Sequence, residues 1–120
     1  MVNGYGLEVF NTTNPAAPAA LGSGYQEAGG KLCSALAIDG NLAYLTAGDE
    51  LQVLSIVDPA NPSKEGSVAL GDALYDVAAR GPLAVVSGLM NAIITVDVTQ
   101  SNAPALKGKL PGGSGFGAGR

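Results

Sequence analysis

One pattern of residues returns three times along the chain and limits its fold more than any other feature. The first copy runs from Gly6-Leu7-Glu8-Val9-Phe10 through Asn14-Pro15-Ala16-Ala17-Pro18 to Gly22. The second runs from Glu50-Leu51-Gln52-Val53-Leu54 through Asp58-Pro59-Ala60-Asn61-Pro62 to Gly66. The third runs from Ala92-Ile93-Ile94-Thr95-Val96 through Gln100-Ser101-Asn102-Ala103-Pro104 to Gly108. Pro18, Pro62 and Pro104 stand 44 and then 42 positions apart; Gly22, Gly66 and Gly108 keep both spacings, as do Leu7, Leu51 and Ile93. Such a period implies one supersecondary unit used several times, each copy burying its apolar face on a neighbour.

A second motif fills the gaps. It reads Ala35-Leu36-Ala37-Ile38-Asp39-Gly40-Asn41-Leu42-Ala43-Tyr44-Leu45, and again Asp76-Val77-Ala78-Ala79-Arg80-Gly81-Pro82-Leu83-Ala84-Val85-Val86. Asp39-Gly40 between two short apolar runs is a hairpin signal, because glycine accepts the positive φ of a tight turn. No window holds a 3.6-residue apolar period, and Pro and Gly interrupt every candidate helix. The reading is all-β. Strands are expected at about 33–39, 42–47, 51–57 and 64–70, and again at 75–80, 83–88, 92–98 and 105–110. A half unit at the start gives 7–12 and 19–24. The third strand, with Leu51, Val53, Leu54, Ile56 and Val57, has no polar face, so both its faces are expected to be covered. Leu51, Val53, Leu54, Ile38, Val77, Val85, Val86 and Val96 are the expected core. The Asp58-Pro59-Ala60-Asn61-Pro62 link is read as a stiff structural loop, since proline fixes φ and cannot sit in a central ladder.

An apolar strand, then D-P-A-N-P, a short strand and a D-G hairpin resemble the LVIVD repeat of bacterial and archaeal surface proteins. Leu51 to Pro62 is the nearest match; Ile93 to Pro104 and Leu7 to Pro18 are weaker copies. The resemblance covers about residues 5–110. It implies β-propeller-like blades of four antiparallel strands: a half blade at 5–24, blades at about 33–70 and 74–110, and so an incomplete propeller across 1–110. It further implies an extracellular or cell-surface setting and a binding or scaffolding role, and it brings no catalytic residues. The Asp-Pro pair is Asn-Pro in the first copy and Gln-Ser in the third, so no uniform role attaches to that aspartate. Residues 111–120 read as a Gly-rich tail, whose glycine pattern lacks the strand, helix and acidic residue of a dinucleotide fingerprint.

Composition narrows the chemistry. The chain has no His and one Cys, which excludes a Ser-His-Asp triad, a His-based zinc site and a thiolate cluster. Cys33, among Ala35, Leu36 and Ile38, reads as a buried strand thiol. A net charge of −4 with six Lys and Arg gives no footprint for nucleic acid. No apolar run reaches the length of a membrane-inserted helix, and the N-terminus does not read as a signal peptide. Paired carboxylates remain at Asp49-Glu50 and at Asp72 and Asp76, where Ca²⁺ is conceivable, but no EF-hand spacing is present. Asn11-Thr12-Thr13 fits a weak glycosylation pattern. Tyr25 and Tyr75 stand near the connections between units and offer apolar area with a polar tip.

These observations favour a non-enzymatic protein-binding or scaffolding module with no catalytic, metal or cofactor residues. Two alternatives stay open: a propeller hydrolase or lyase fragment with a carboxylate or Ca-dependent site, and a structural subunit joined through open strand edges. The half blade lacks two inner strands, which leaves an edge able to pair with another chain. The expected partner is therefore a protein or further copies of this chain. The expected contact residues are Leu7, Val9 and Phe10 at one end and Ile93, Thr95 and Val96 at the other.

Overall fold

The computed structural model describes residue 2 and residues 4–111. Among these residues all regular structure is β. Strands β5 (Cys33–Asp39), β6 (Leu42–Ala47), β7 (Glu50–Ser55) and β8 (Ser63–Ala69) form one antiparallel sheet in chain order, here sheet 1. Strands β9 (Leu74–Arg80), β10 (Leu83–Gly88), β11 (Asn91–Asp97) and β12 (Ala105–Pro111) form sheet 2 in the same order. The strands lie within two residues of their expected bounds. β7 stops at Ser55 and does not run to Val57, because the Ser55 hydroxyl accepts a hydrogen bond from the Val57 N–H and the chain turns there. β12 takes in Pro111, and the rest of the expected tail, 112–120, lies outside the described residues.

The tight turns follow the sequence. Asp39 pairs with Leu42 and Arg80 with Leu83, leaving two-residue loops that begin with Gly40 at φ +62° and Gly81 at φ +58°. Positive φ at the first loop residue alone is the type II′ arrangement, which matches strand twist. The Asp39 carboxylate also accepts a hydrogen bond from the Gly81 N–H at 2.6 Å, tying one hairpin tip to the next.

The first unit is a hairpin broken into short pieces. β1 (Gly6–Leu7) pairs with β4 (Tyr25–Gln26), and β2 (Phe10–Asn11) with β3 (Ala19–Ala20). The residues from Leu21 to Gly24 bulge between them, so the expected strands 7–12 and 19–24 exist only in part. Val2 bridges Leu7 on the free side of β1.

Sheet 1 is covered on both faces, as expected for its third strand, though the hairpin side of that strand carries Gln52. Tyr44, Leu51 and Val53 point toward sheet 2 and join Leu74, Val77, Ala84, Val86, Ile94, Val96 and Val98 in one core cluster. Ala43, Leu45, Ala47 and Leu54 point the other way and join Leu7 and Cys33 in a second cluster under the hairpin. β9 packs against β5 and β6, so the sheets stack face to face. They form an open stack, with no closed ring among the described residues.

Two expectations about the core need correction. Ile38 is 59% exposed, because no strand covers that part of β5 on the hairpin side. Val85 is only half-buried, because it lies on the outward face of sheet 2.

The loops that carry the prolines share one turn. Ala17 N–H donates to the Asn14 carbonyl, Asn61 N–H to the Asp58 carbonyl and Ala103 N–H to the Gln100 carbonyl, at 2.9–3.0 Å. Asn14 and Asp58 add a side-chain acceptor for the N–H two residues on, which Gln100 does not. The second and third of these loops are each seated on the preceding unit. A Cβ on Gly22 would overlap the Ala60 carbonyl oxygen. A Cβ on Gly66 would fall 2.7 Å from the Ser101 carbonyl oxygen and 2.8 Å from the Asn102 carbonyl carbon. Gly22 and Gly66 are therefore places where the next unit's loop backbone comes too close for a side chain. Pro62 and Pro104 are buried in these seats, and Ser101 Oγ donates to Glu65 Oε1 at 3.2 Å.

Candidate interaction surface

Cross-strand partners in an antiparallel sheet share a face. In sheet 1 one such row runs Ala37, Tyr44, Val53 and Gly66, and sheet 2 covers it. The matching row in sheet 2 runs Ala78, Val85, Thr95 and Gly108, flanked by the Ile93–Leu110 pair and by Leu83. No described residue covers this row. Leu83, Ile93 and Leu110 are all more than one-third exposed. A shallow depression of about 270 Å³ opens there, lined by Asp76, Ala78, Val85, Ser87 and Ile93. Arg80 stands at a neighbouring hollow with Leu83, and Lys107 beside Asp97 at another. An apolar centre with charges of both signs at its border is how protein-binding surfaces are built.

Ile93 and Thr95, two of the residues expected at a contact, lie on this face. Val96 does not. It is one position out of step, fully buried against sheet 1, and available to no partner. At the other end Leu7 is also buried, under the hairpin. Val9 and Phe10 line a cleft of about 160 Å³ with Leu36, Ile38, Ala43 and Ile56.

The polar side chains inside the molecule are committed to one another. Gln52 is fully buried; its carbonyl accepts from the Tyr25 hydroxyl at 2.9 Å, and its amide donates to Glu27 at 3.1 Å and Glu50 at 3.2 Å. Burial and the nearby Glu27 carboxylate raise the Tyr25 pKa. Burial tends to raise the Glu27 pKa, but the Lys31 N–H, the Gln52 amide and the Gly29 N–H outweigh it and hold the carboxyl below its ordinary value. Lys31 and Asp49 form an exposed pair at 2.9 Å, an arrangement that adds little to stability. Sequence reading noted Asp49-Glu50 and Tyr25 but missed Gln52, whose signal was an amide set between the apolar Leu51 and Val53.

Asp72 is the one buried acid among the described residues. It accepts hydrogen bonds from the Met90 and Asn91 N–H groups and the Asn91 side-chain amide, at 2.9–3.1 Å. Desolvation pushes its pKa up, but these donors and the Ala73 N–H prevail and hold it below the ordinary value. A Cβ on Gly88 would overlap its Oδ2, so the glycine makes room for the carboxylate. Asp72 therefore clamps the β10–β11 turn, and Asp76 caps the N–H of Val77. Among the described residues no three acidic or cysteine side chains converge as a metal-binding group. The Cys33 thiol is buried, and desolvation together with Glu27 raises its pKa, which disfavours the reactive thiolate. Tyr75 is exposed, and the Asn11 side chain accepts hydrogen bonds from both the N–H and the hydroxyl of Thr13.

No helix among the described residues is long and apolar enough to cross a membrane. Compared with known protein families and with curated protein sequences, the chain matches none.

Proposed function

We propose that this chain is a non-enzymatic protein-binding or scaffolding module of an exported or surface-associated assembly, with its two sheets as propeller-like blades of the LVIVD type. The observation that carries the reading is the outward face of sheet 2. Its residues occupy the register positions that sheet 1 uses for its contact with sheet 2. A surface with the same pattern as an internal interface is suited to a protein partner. The resemblance of residues 5–110 to a surface repeat family points the same way.

The test is a photo-crosslinking amino acid placed at Val85 on this face, and at Ser63 as a control, in cells making the protein. Protein adducts are expected from Val85 and not from Ser63. Absence of adducts at Val85, or equal adducts at both positions, refutes the reading.

A further inference from the structure

The proline loops and the spaced glycines form complementary halves of one contact. Inside the chain the contact is made twice: loop 58–62 sits on Gly22, and loop 100–104 sits on Gly66. One half of each kind is left over. Gly108 holds the third glycine position, and among the described residues a Cβ there would meet only its strand neighbour Thr95 Oγ1, at 3.4 Å. Loop 14–18 makes the same turn as the seated loops, yet all its residues are exposed, Pro18 included, whereas Pro62 and Pro104 are buried. Around Gly108 lie Ile93 and Leu110, matching Leu51 and Val68 around Gly66, and both are exposed.

We infer that the Gly108 seat of one molecule receives loop 14–18 of a second copy of the same chain, joining copies head to tail. This deepens the protein-binding reading above and rests on it. The Ala16 backbone lies over Gly108 as Ala60 lies over Gly22. Pro18 fills the place that Pro62 and Pro104 fill inside the chain. The first hairpin covers the β11–β12 half of the face, with Ile93 and Leu110 beneath it. Because the two halves differ, the contact is heterologous, and joined copies grow head to tail until a ring closes.

The experiment is sedimentation velocity of the 120-residue chain from micromolar to millimolar concentration, with Gly108→Arg and Ala16→Arg as variants. A Cβ on Gly108 meets no backbone among the described residues and Ala16 lies on an exposed loop, so both variants keep the wild-type melting temperature, checked by circular dichroism. The wild type is expected to grow into dimers and larger species as concentration rises. Each variant alone has one dead half, and its dissociation constant rises at least about tenfold, the loss typical of a central contact. An equal mixture of the two variants restores a single joint and stops at the dimer. A wild type that stays monomeric, variants that assemble like wild type, or a mixture that forms no dimer overturns the inference. If the wild type is monomeric but Val85 still crosslinks to another protein, head-to-tail joining fails while the protein-binding reading stands.

Discussion

Replacing Gly66 by alanine places one methyl group against the backbone of residues 101 and 102. The nearest atoms, at 2.7–2.9 Å, are two carbonyl oxygens and a carbonyl carbon. Backbone atoms cannot swing aside as a flexible side-chain end does, so loop 100–104 has to lift. Pro104 then loses part of its burial and Ser101 its hydrogen bond to Glu65. Overpacking of this kind costs about 1–3 kcal/mol. A glycine-to-alanine change also removes freedom from the unfolded chain, which stabilises by about 0.4–1 kcal/mol where φ is ordinary. Gly66 and Gly108 both lie outside the positive-φ region, so that gain applies to each, and the difference between the two variants isolates the contact. Gly108→Ala, whose methyl meets no backbone among the described residues, is expected to keep that gain and stabilise by up to about 1 kcal/mol. In urea, with a slope of about 1.5 kcal/mol/M, Gly66→Ala should lower the unfolding midpoint by roughly 1 M while Gly108→Ala raises it by up to about 0.7 M. The assay is urea titration followed by circular dichroism, at a concentration where the protein is monomeric. Equal midpoints for the two variants would refute the reasoning, because the seat at Gly66 would then not be tight.

Leu54→Ala removes a fully buried side chain from the cluster beneath the hairpin and should cost about 2–5 kcal/mol by denaturant titration; a loss below about 0.5 kcal/mol contradicts its placement. Asp72→Ala strands the Met90 and Asn91 N–H groups and should cost about 2 kcal/mol, with hydrogen exchange rising first in the β10–β11 turn. Because the folded pKa of Asp72 is lowered, its carboxylate contributes stability that is fully present above the unfolded value near about 3.9 and is lost as pH falls through the folded value; Asp72→Asn should flatten that acid limb, and an unchanged limb would show that other acids carry it. EDTA and added Ca²⁺ should each leave the melting temperature in place, since the Asp72 oxygens are already taken by protein donors; a marked shift with either would mean that acidic loops such as Asp49-Glu50 hold a cation.

The strand plan was legible because each boundary has a local cause. Gly40 and Gly81 set the hairpin turns, and the proline loops end the third strand of each unit. The spacing of Gly22, Gly66 and Gly108 was visible too, but its reason was not. A glycine kept at one register can serve a turn, a bulge or a close approach, and only the position of the neighbouring loop tells these apart. Asp72 was noted as one of a pair flanking a turn, and its partners proved to lie 18 and 19 residues away, at the β10–β11 turn. Gln52 is likewise satisfied by Tyr25, 27 positions distant. Polar partners at that range leave no local mark in the sequence.

Burial failed to be legible for a different reason, which Ile38 and Val96 show together. In a strand the side chains alternate, so apolar residues on both faces say that two neighbours exist without saying where each neighbour ends. Val96 looks like Thr95 and Ile93 in composition, yet one step of register separates a core position from an outward one. Ile38 has the composition of a core residue, but burial needs a covering strand, and the hairpin is only two strands wide beside a four-stranded sheet. The same deficit leaves Val57 exposed near Ile56 and opens the cleft lined by Phe10 and Leu36. Head-to-tail joining through loop 14–18 covers the outer half of sheet 2 and leaves this inner cleft as it is. The two openings therefore make separate demands: Gly108→Arg should abolish joining without changing dye binding at the cleft, and Ile38→Lys should reduce dye binding without changing joining. A variant that alters both would mean that one partner spans the two surfaces, which a loop seated at Gly108 cannot do.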